Sequence, residues 1–240
     1  MLRIPALRPL VISLLLLGIA CSPSPAAGPQ PQPAAQKPDR QPAQVFSHVY
    51  ADRLERPGRL EKEKPDEVVR LMGLKDGDVV ADIGAGTGFY TRRIARAVAP
   101  TGKVYANDIQ PEMLERLEEL ATAEKLSNIV SVLGTETDPK LPAGQMDWIL
   151  IVDTYHEFQN PEAMLENIKK ALKPNGRIAL LEQRLEGDTA SHTNIEHRMS
   201  VEQVLAEWEP AGFTLMETIE TLPAQHFFVF TVRRGARALP

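Results

Sequence analysis

The segment Asp82-Ile83-Gly84-Ala85-Gly86-Thr87-Gly88 follows directly on the apolar run Val79-Val80-Ala81. Glycines placed this way let the backbone turn sharply from a strand into a helix and approach a ligand closely, because a Cβ would clash with the ligand or with a positive φ. The fold is thereby narrowed to an α/β type with a nucleotide-like cradle at a strand end. The spacing then selects among ligands. A dinucleotide fingerprint places its third glycine so that a pyrophosphate rests on the helix N-terminus, whereas here it comes one residue early and Phe89 occupies that slot. A pyrophosphate would also meet the carboxylate of Asp82, at a cost of about 1 to 4 kcal/mol for charges about 4 Å apart. A ligand without phosphate that carries an ammonium and a sulfonium is attracted instead.

The next strand agrees with this reading. Lys103-Val104-Tyr105-Ala106-Asn107 reads as a short buried strand ending at Asp108, 24 residues after Gly84, the distance one helix and one strand consume. An acid there can accept both hydroxyls of a ribose, or it can open the helix that starts near Pro111. A strand-end carboxylate can do both.

Asp82 to Gly88, Asp108, and Met146-Asp147-Trp148-Ile149-Leu150-Ile151-Val152-Asp153 together resemble the class I S-adenosylmethionine-dependent methyltransferases, over about residues 60 to 233. The resemblance implies S-adenosylmethionine as cofactor. It assigns the cradle to Asp82, Gly84, Ala85, Gly86, Thr87 and Gly88, the ribose to Asp108 with Ile109 beside it, and the end of the fourth strand to Asp153. Many relatives carry Gly-Asp-Ala after the third strand, where the acid bonds the adenine amino group. This chain reads Gly134-Thr135-Glu136, which leaves Glu136 or Asp138 to take that place.

The remaining pattern alternates strand and helix. Val79 to Ile83, Val104 to Asn107, Ile129 to Leu133, Trp148 to Val152 and Ile178 to Leu181 are short apolar runs of the kind buried on both faces of a parallel sheet. Pro65, Pro111 and Pro161 suit first helical turns, Asn160 suits an N-cap, and Ser200-Val201-Glu202-Gln203 is a capping box before a helix over 201–211. Helix 162–172 ends at the Pro174-Asn175-Gly176 turn. Phe213 to Ile219 and Phe227 to Val232 predict a hairpin. The expected fold is α/β, Rossmann-like and doubly wound, with a mostly parallel seven-stranded sheet and a C-terminal antiparallel hairpin. Such sheets bind ligands at the carboxyl ends of their strands where strand order reverses, which gathers Gly84 to Gly88, Asp108, Gly134 to Glu136 and Asp153 to Glu157 around one crevice.

Chemistry on a substrate falls to the segment Asp153-Thr154-Tyr155-His156-Glu157-Phe158. Methyl transfer from a sulfonium is an in-line displacement, so alignment and water exclusion dominate, and a base is needed only if the acceptor must lose a proton. His156 is the candidate base and Glu157 its orienting or alternative group, although the pair could equally cap the next element. Tyr155 lines the pocket or fills core. No metal is expected: His192, Glu196 and His197 do not share a helix face as an H-E-x-x-H pair would. The charge run Arg53 to Lys64 reads as a solvated helix face or a lid over the cofactor, with Tyr50 a further residue in reach.

Residues 1–21 carry Arg3 and Arg8, then an apolar stretch from Leu10 to Ala20, then Cys21. The stretch is short for a bilayer span and has the charged-then-apolar order of a secretory signal. Leu17-Gly18-Ile19-Ala20-Cys21 resembles a bacterial lipoprotein cleavage box, which implies a lipidated Cys21; this is the chain's one cysteine, so it has no intramolecular disulfide partner. Residues 22–44 are dominated by Pro, Ala and Gln and predict an extended tether, and residues 45–240 the folded domain. Loss of Arg3 and Arg8 takes the net charge from −5 to −7, with no basic run to favour nucleic acid.

The expectation is therefore a methyltransferase acting on a small-molecule or lipid-like acceptor, held at the bacterial envelope and facing the periplasm, or cytoplasmic if the leader is not processed. A non-catalytic adenosyl-ligand-binding lipoprotein is the alternative. A nicotinamide-dependent oxidoreductase is opposed by Asp82 and the glycine spacing.

Overall fold

In the computed structural model of the chain, residues 41–187 and 193–233 are described. The leader, Cys21, most of the expected tether and His192 lie outside them. Eight strands are present among the described residues: β1 Val79–Ile83, β2 Lys103–Asp108, β3 Ile129–Leu133, β4 Met146–Val152, β5 Leu172–Arg184, β6 Arg198–Met199, β7 Phe213–Ile219 and β8 Gln225–Val232. They form one sheet in the order β3-β2-β1-β4-β5-β8-β7, with β6 paired to β5 off that path. The first five strands run parallel, and β8 and β7 close one side antiparallel. The doubly wound expectation and its terminal hairpin hold, with the two-residue β6 as an eighth strand.

Alternation along β4 shows how the sheet is buried. Ile149 and Ile151 enter one core with Ile178, Leu180, Phe228 and Phe230, while Trp148 and Leu150 enter the other with Val80, Val104, Ala179 and Leu181. The helices α1 Gly58–Glu63, α2 Pro65–Met72, α3 Thr91–Ala97, α4 Pro111–Ala123, α5 Pro161–Ala171 and α6 Val201–Trp208 supply the outer layers. In α5 the buried stripe Met164, Leu165, Ile168 and Ala171 follows a helical period and packs into the first core. Trp208 at the end of α6 is fully buried there and stacks on Phe230 at 4.6 Å.

Several starts and stops behave as their residues demand. Ser200 Oγ accepts from the Gln203 backbone N–H at 3.0 Å and opens α6, which ends at Trp208, three residues before the expected limit. Asn160 is an N-cap position, but its side chain makes no capping hydrogen bond. Two expectations need correction. β3 is not buried on both faces: it is the sheet's outer strand, so Val130 and Leu133 are exposed. β5 runs from Leu172 through the Pro174-Asn175-Gly176 segment to Arg184, because pairing with β4 on one side and β8 on the other holds that segment extended.

The boundary expected at residue 44 is also blurred. Ala43 is buried and its N–H donates to the His156 carbonyl at 3.0 Å, so the end of the Pro/Ala/Gln-rich stretch docks on the domain. Among the described residues no helix is long and apolar enough to cross a membrane.

Candidate functional site

Strand order reverses between β1 and β4, and the loops that leave these strands enclose a cavity of about 640 Å³. Gly84, Gly86 and Gly88 have φ of +71°, +54° and +82°. A Cβ on Gly84 would lie 2.3 Å from Thr154 Cγ2, so the loop after β1 can pass the loop after β4 only as glycine. The N–H groups of Gly84 and Ala85 both donate to the Asn107 carbonyl at 2.9 Å, which ties the turn to the end of β2.

Asp108 completes that tie. Its Oδ2 accepts from the Gly86 N–H and its Oδ1 from the Gln110 N–H, each at 2.9 Å, and burial raises its pKa. Each carboxylate oxygen keeps a second lone pair, so Asp108 can hold the cradle, start the turn into α4 and still accept from a ligand in the cavity it lines. Ile109 lines the same wall. Glu136 stands exposed at the rim. Asp138 is committed to Lys140 by an ion pair at 2.8 Å.

Asp82 does not stand as an open charge at the mouth. It is 2% exposed and its Oδ2 accepts from Thr91 Oγ1 at 2.6 Å, so the side chain serves first to anchor the start of α3. Burial raises its pKa to about 6, against that hydrogen bond. It still forms part of the cavity lining. Thr87 is buried and donates to Glu55 Oε1 at 2.6 Å, while Glu55 Oε2 accepts from Arg92 at 2.7 Å. This fastens the 3₁₀ helix His48–Glu55 over the glycine loop. With Leu54, Arg59, Lys62 and Glu63 lining the cavity, the charge run is a lid. Tyr50 does not reach the cavity; it is 48% exposed with Arg53 over its ring.

The far wall is built by β4, β5 and β8. Asp153 has φ +47°, a conformation that costs an L residue on the order of 1 to 2 kcal/mol and aims it across the sheet. Its Oδ2 accepts from Gln183 at 3.0 Å and Gln225 at 2.9 Å, while its buried Oδ1 has no partner among the described residues. Burial, with Glu63 and Glu182 nearby, pushes its pKa upward.

His156 is 3% exposed, and both its ring nitrogens are engaged: Nδ1 with Glu182 Oε2 at 2.6 Å and Nε2 with His197 Nδ1 at 3.0 Å. Burial pulls its pKa down, but the Glu182 charge and hydrogen bond outweigh it and raise it to about 9. At neutral pH His156 therefore keeps its proton. With both ring nitrogens engaged, it does not stand as the free base that the sequence suggests. Glu157, raised to about 7 by burial against the pull of His156, is better matched to accept a proton. Tyr155 is wholly buried against Trp208 and Phe158 and belongs to the core.

Glu182 and Gln110 carry no motif signal in the sequence, His197 stands there only beside His192 and Glu196, and Arg59 only within the charge run Arg53 to Lys64. Glu182 is fully buried, accepts from the Tyr155 and His156 N–H groups at 2.9 and 3.3 Å, and is the one acid that ends an otherwise apolar run on β5. Gln110 accepts from the His48 N–H at 2.9 Å and donates to the Phe46 carbonyl at 2.8 Å, closing residues 46–48 over the cavity. Arg59 grips Glu63 with two nitrogens and lies 4.2 Å over Phe89.

The chemical sum is a cavity ringed by Glu63, Asp82, Asp108, Asp153 and Glu157, four of them with raised pKa values. Such a ring favours a cationic ligand and disfavours a diphosphate.

Residues 74–221 match a family described as a methyltransferase domain. A ubiquinone/menaquinone biosynthesis C-methyltransferase UbiE of Pseudomonas aeruginosa (strain LESB58) is 30% identical over 115 residues, 48% of this chain and 45% of that protein. A demethylmenaquinone methyltransferase of Geobacillus sp. (strain WCH70) is 25% identical over 117 residues, 49% and 50% of the two chains. The alignments thus span about half the length of these curated relatives. A SAM dependent methyltransferase from Aquifex aeolicus superposes with a TM-score of 0.74 at 29% identity, covering 78% of this chain and all of that one.

Proposed function

Because the match over residues 74–221 makes this chain a member of the methyltransferase-domain family, we propose that it transfers a methyl group from S-adenosylmethionine to a small, apolar, quinone-like acceptor. The observation that carries the reading is that one cavity joins the glycine cradle and Asp108 at one end to Glu157, His156 and His197 at the other. The residues fit this cofactor on two counts. Asp108 lines the cavity with lone pairs that its two backbone donors leave free, and the orphaned Asp153 Oδ1 borders the cavity as an acceptor for an ammonium.

S-adenosylmethionine supplies, when bound, an electrophilic methyl carbon on a sulfonium. The chain then has three tasks. Asp108 and the loop Gly84–Gly88 fix the adenosyl end, and the lid, held by Glu55 and Gln110, excludes water. At the other end Glu157 accepts a proton from an acceptor that must lose one, while the charged Glu182–His156 pair holds the turn in register. Phe46, Phe158 and Met164 give that end an apolar lining suited to a ring or lipid-like acceptor.

The order of residues 1–21 supports a further element of the reading, a lipid anchor at Cys21 that holds the domain on the periplasmic side of a bacterial envelope. Calorimetry with S-adenosylmethionine, S-adenosylhomocysteine and NAD, followed by turnover with ring acceptors, tests the function. Micromolar binding of the first two, about −8 kcal/mol, and none of NAD is the expected result. NAD binding alone would reject the reading.

A further inference from the structure

In the chain His197 stands near His192 and next to Glu196, but Glu196 is exposed and accepts from the Asn194 side chain at 3.1 Å. The fold instead delivers His197, on the turn before β6, to His156 and Glu157, on the turn after β4. The pairing of β6 with β5 at Gln183 and Arg184 makes this meeting possible.

One ligand-type atom from each of these three side chains lies within 4.8 Å of the other two. His156 Nε2 is 3.0 Å from His197 Nδ1 and 4.0 Å from Glu157 Oε1. Two imidazole nitrogens held about 2.0 to 2.1 Å from one ion at a tetrahedral angle are roughly 3.3 Å apart, so shifts of a few tenths of an ångström would suffice to seat one. The two imidazole rings meet edge to face, with an interplanar angle of 87° and centroids 5.0 Å apart. The nitrogens that face each other across this contact are His156 Nε2 and His197 Nδ1.

We propose that His156 Nε2, His197 Nδ1 and a Glu157 carboxylate oxygen form a three-ligand site for a divalent transition metal ion of the zinc class, with its fourth position open to the cavity. All three residues line that cavity. Two histidines and one carboxylate with an open position make the donor set of a reactive site, whereas structural sites are closed by four protein ligands. The open position takes an oxygen or nitrogen donor of the small molecule that occupies this end.

The surrounding shell supports the site. Glu182 Oε2 lies 2.6 Å from His156 Nδ1, the carboxylate behind a ligating histidine that fixes the tautomer and turns Nε2 toward the metal. Glu182 is itself fixed by two backbone N–H groups, so the orienting group does not move. Charge points the same way. Glu182 and Glu157 carboxylate oxygens lie 2.6 and 4.0 Å from the His156 ring nitrogens, so a divalent cation there is balanced by acids on two sides.

The 3.0 Å contact of the two imidazoles also suits an N–H···N hydrogen bond, whose proton occupies a nitrogen lone pair that the ion would need. The two occupants exclude each other. Titration of the tag-free, chelator-treated full chain with Co²⁺ decides between them through the visible d–d absorption of the bound ion. One saturable equivalent, displaced by Zn²⁺, is expected. His197→Ala, a change at a partly exposed side chain, should abolish the band, and Glu182→Gln should weaken binding 10- to 100-fold. His48→Gln should leave it unchanged. Thermal unfolding confirms that each variant is folded. Absence of a saturable equivalent, a band that survives His197→Ala, or equal loss in His48→Gln would overturn the site. Calorimetric binding of S-adenosylmethionine by His197→Ala should persist, so failure of the metal site and failure of the cofactor reading are separable.

Discussion

Asp108→Ala separates a structural tie from a ligand contact. The side chain accepts two backbone hydrogen bonds at 2.9 Å, from Gly86 and Gln110, in a buried setting. A hydrogen bond to a charged group contributes about 1.5 to 3 kcal/mol, and burial of Asp108 subtracts from that, so a net loss of about 2 to 3 kcal/mol in stability is expected. For a domain of this size that lowers Tm by roughly 4 to 12 °C. If the free lone pairs accept from a ribose, affinity for S-adenosylmethionine falls by a further 1 to 3 kcal/mol, or about 5- to 150-fold, beyond what partial unfolding explains. Calorimetry well below the variant's Tm, alongside a thermal melt, measures the two effects separately. Asp108→Asn keeps one acceptor oxygen and should fall between. A variant that loses stability but binds with unchanged affinity would refute the ribose contact and leave Asp108 as a loop tie alone.

Gly84→Ala forces φ +71° on an alanine, at about 1 to 2 kcal/mol, and adds a Cβ 2.3 Å from Thr154; Thr154→Gly should recover the steric part and leave the backbone part in thermal unfolding. Asp82, raised from 3.8 to about 6 by burial, favours folding only while protonated, so its contribution is full below pH 4 and is lost as pH rises through about 6. Asp82→Asn should therefore gain about 2 to 4 kcal/mol relative to wild type between those limits in denaturant unfolding, and parallel pH profiles would contradict the burial argument. Glu55→Ala removes the acceptor shared by Thr87 and Arg92; faster hydrogen exchange over residues 48–63 and a raised KM are expected, whereas unchanged exchange would show that the lid is held elsewhere.

The glycine loop was legible because its constraint is steric and local: the positive φ values and the close approach of Thr154 demand glycine whatever the rest of the chain does. The ends of β1 to β4 and the Ser200 cap were legible for similar reasons, being set by residues within a few positions of one another, whereas the span of β5 is set by its neighbours. What the chain hid depends on sheet pairing. Glu182 reads as an acid at the end of an apolar strand, and only the register of β5 against β4 and β8 shows it beneath His156. His197 meets His156 through the two-residue β6, too short to leave a periodic signal. The direction of Asp82 is not local: the sequence places a carboxylate beside the glycines, but the path of α3 turns it onto Thr91. The cationic preference of the cavity accordingly rests on Asp108, Asp153 and Glu157 more than on Asp82.

The most direct test is a crystal structure of the protein with S-adenosylhomocysteine. The account predicts the ribose hydroxyls against Asp108, the amino acid end beside Asp153, and the sulfur turned toward Glu157 and His156. A ligand bound outside this cavity, or an adenosyl group that makes no contact with the loop Gly84–Gly88, would contradict it.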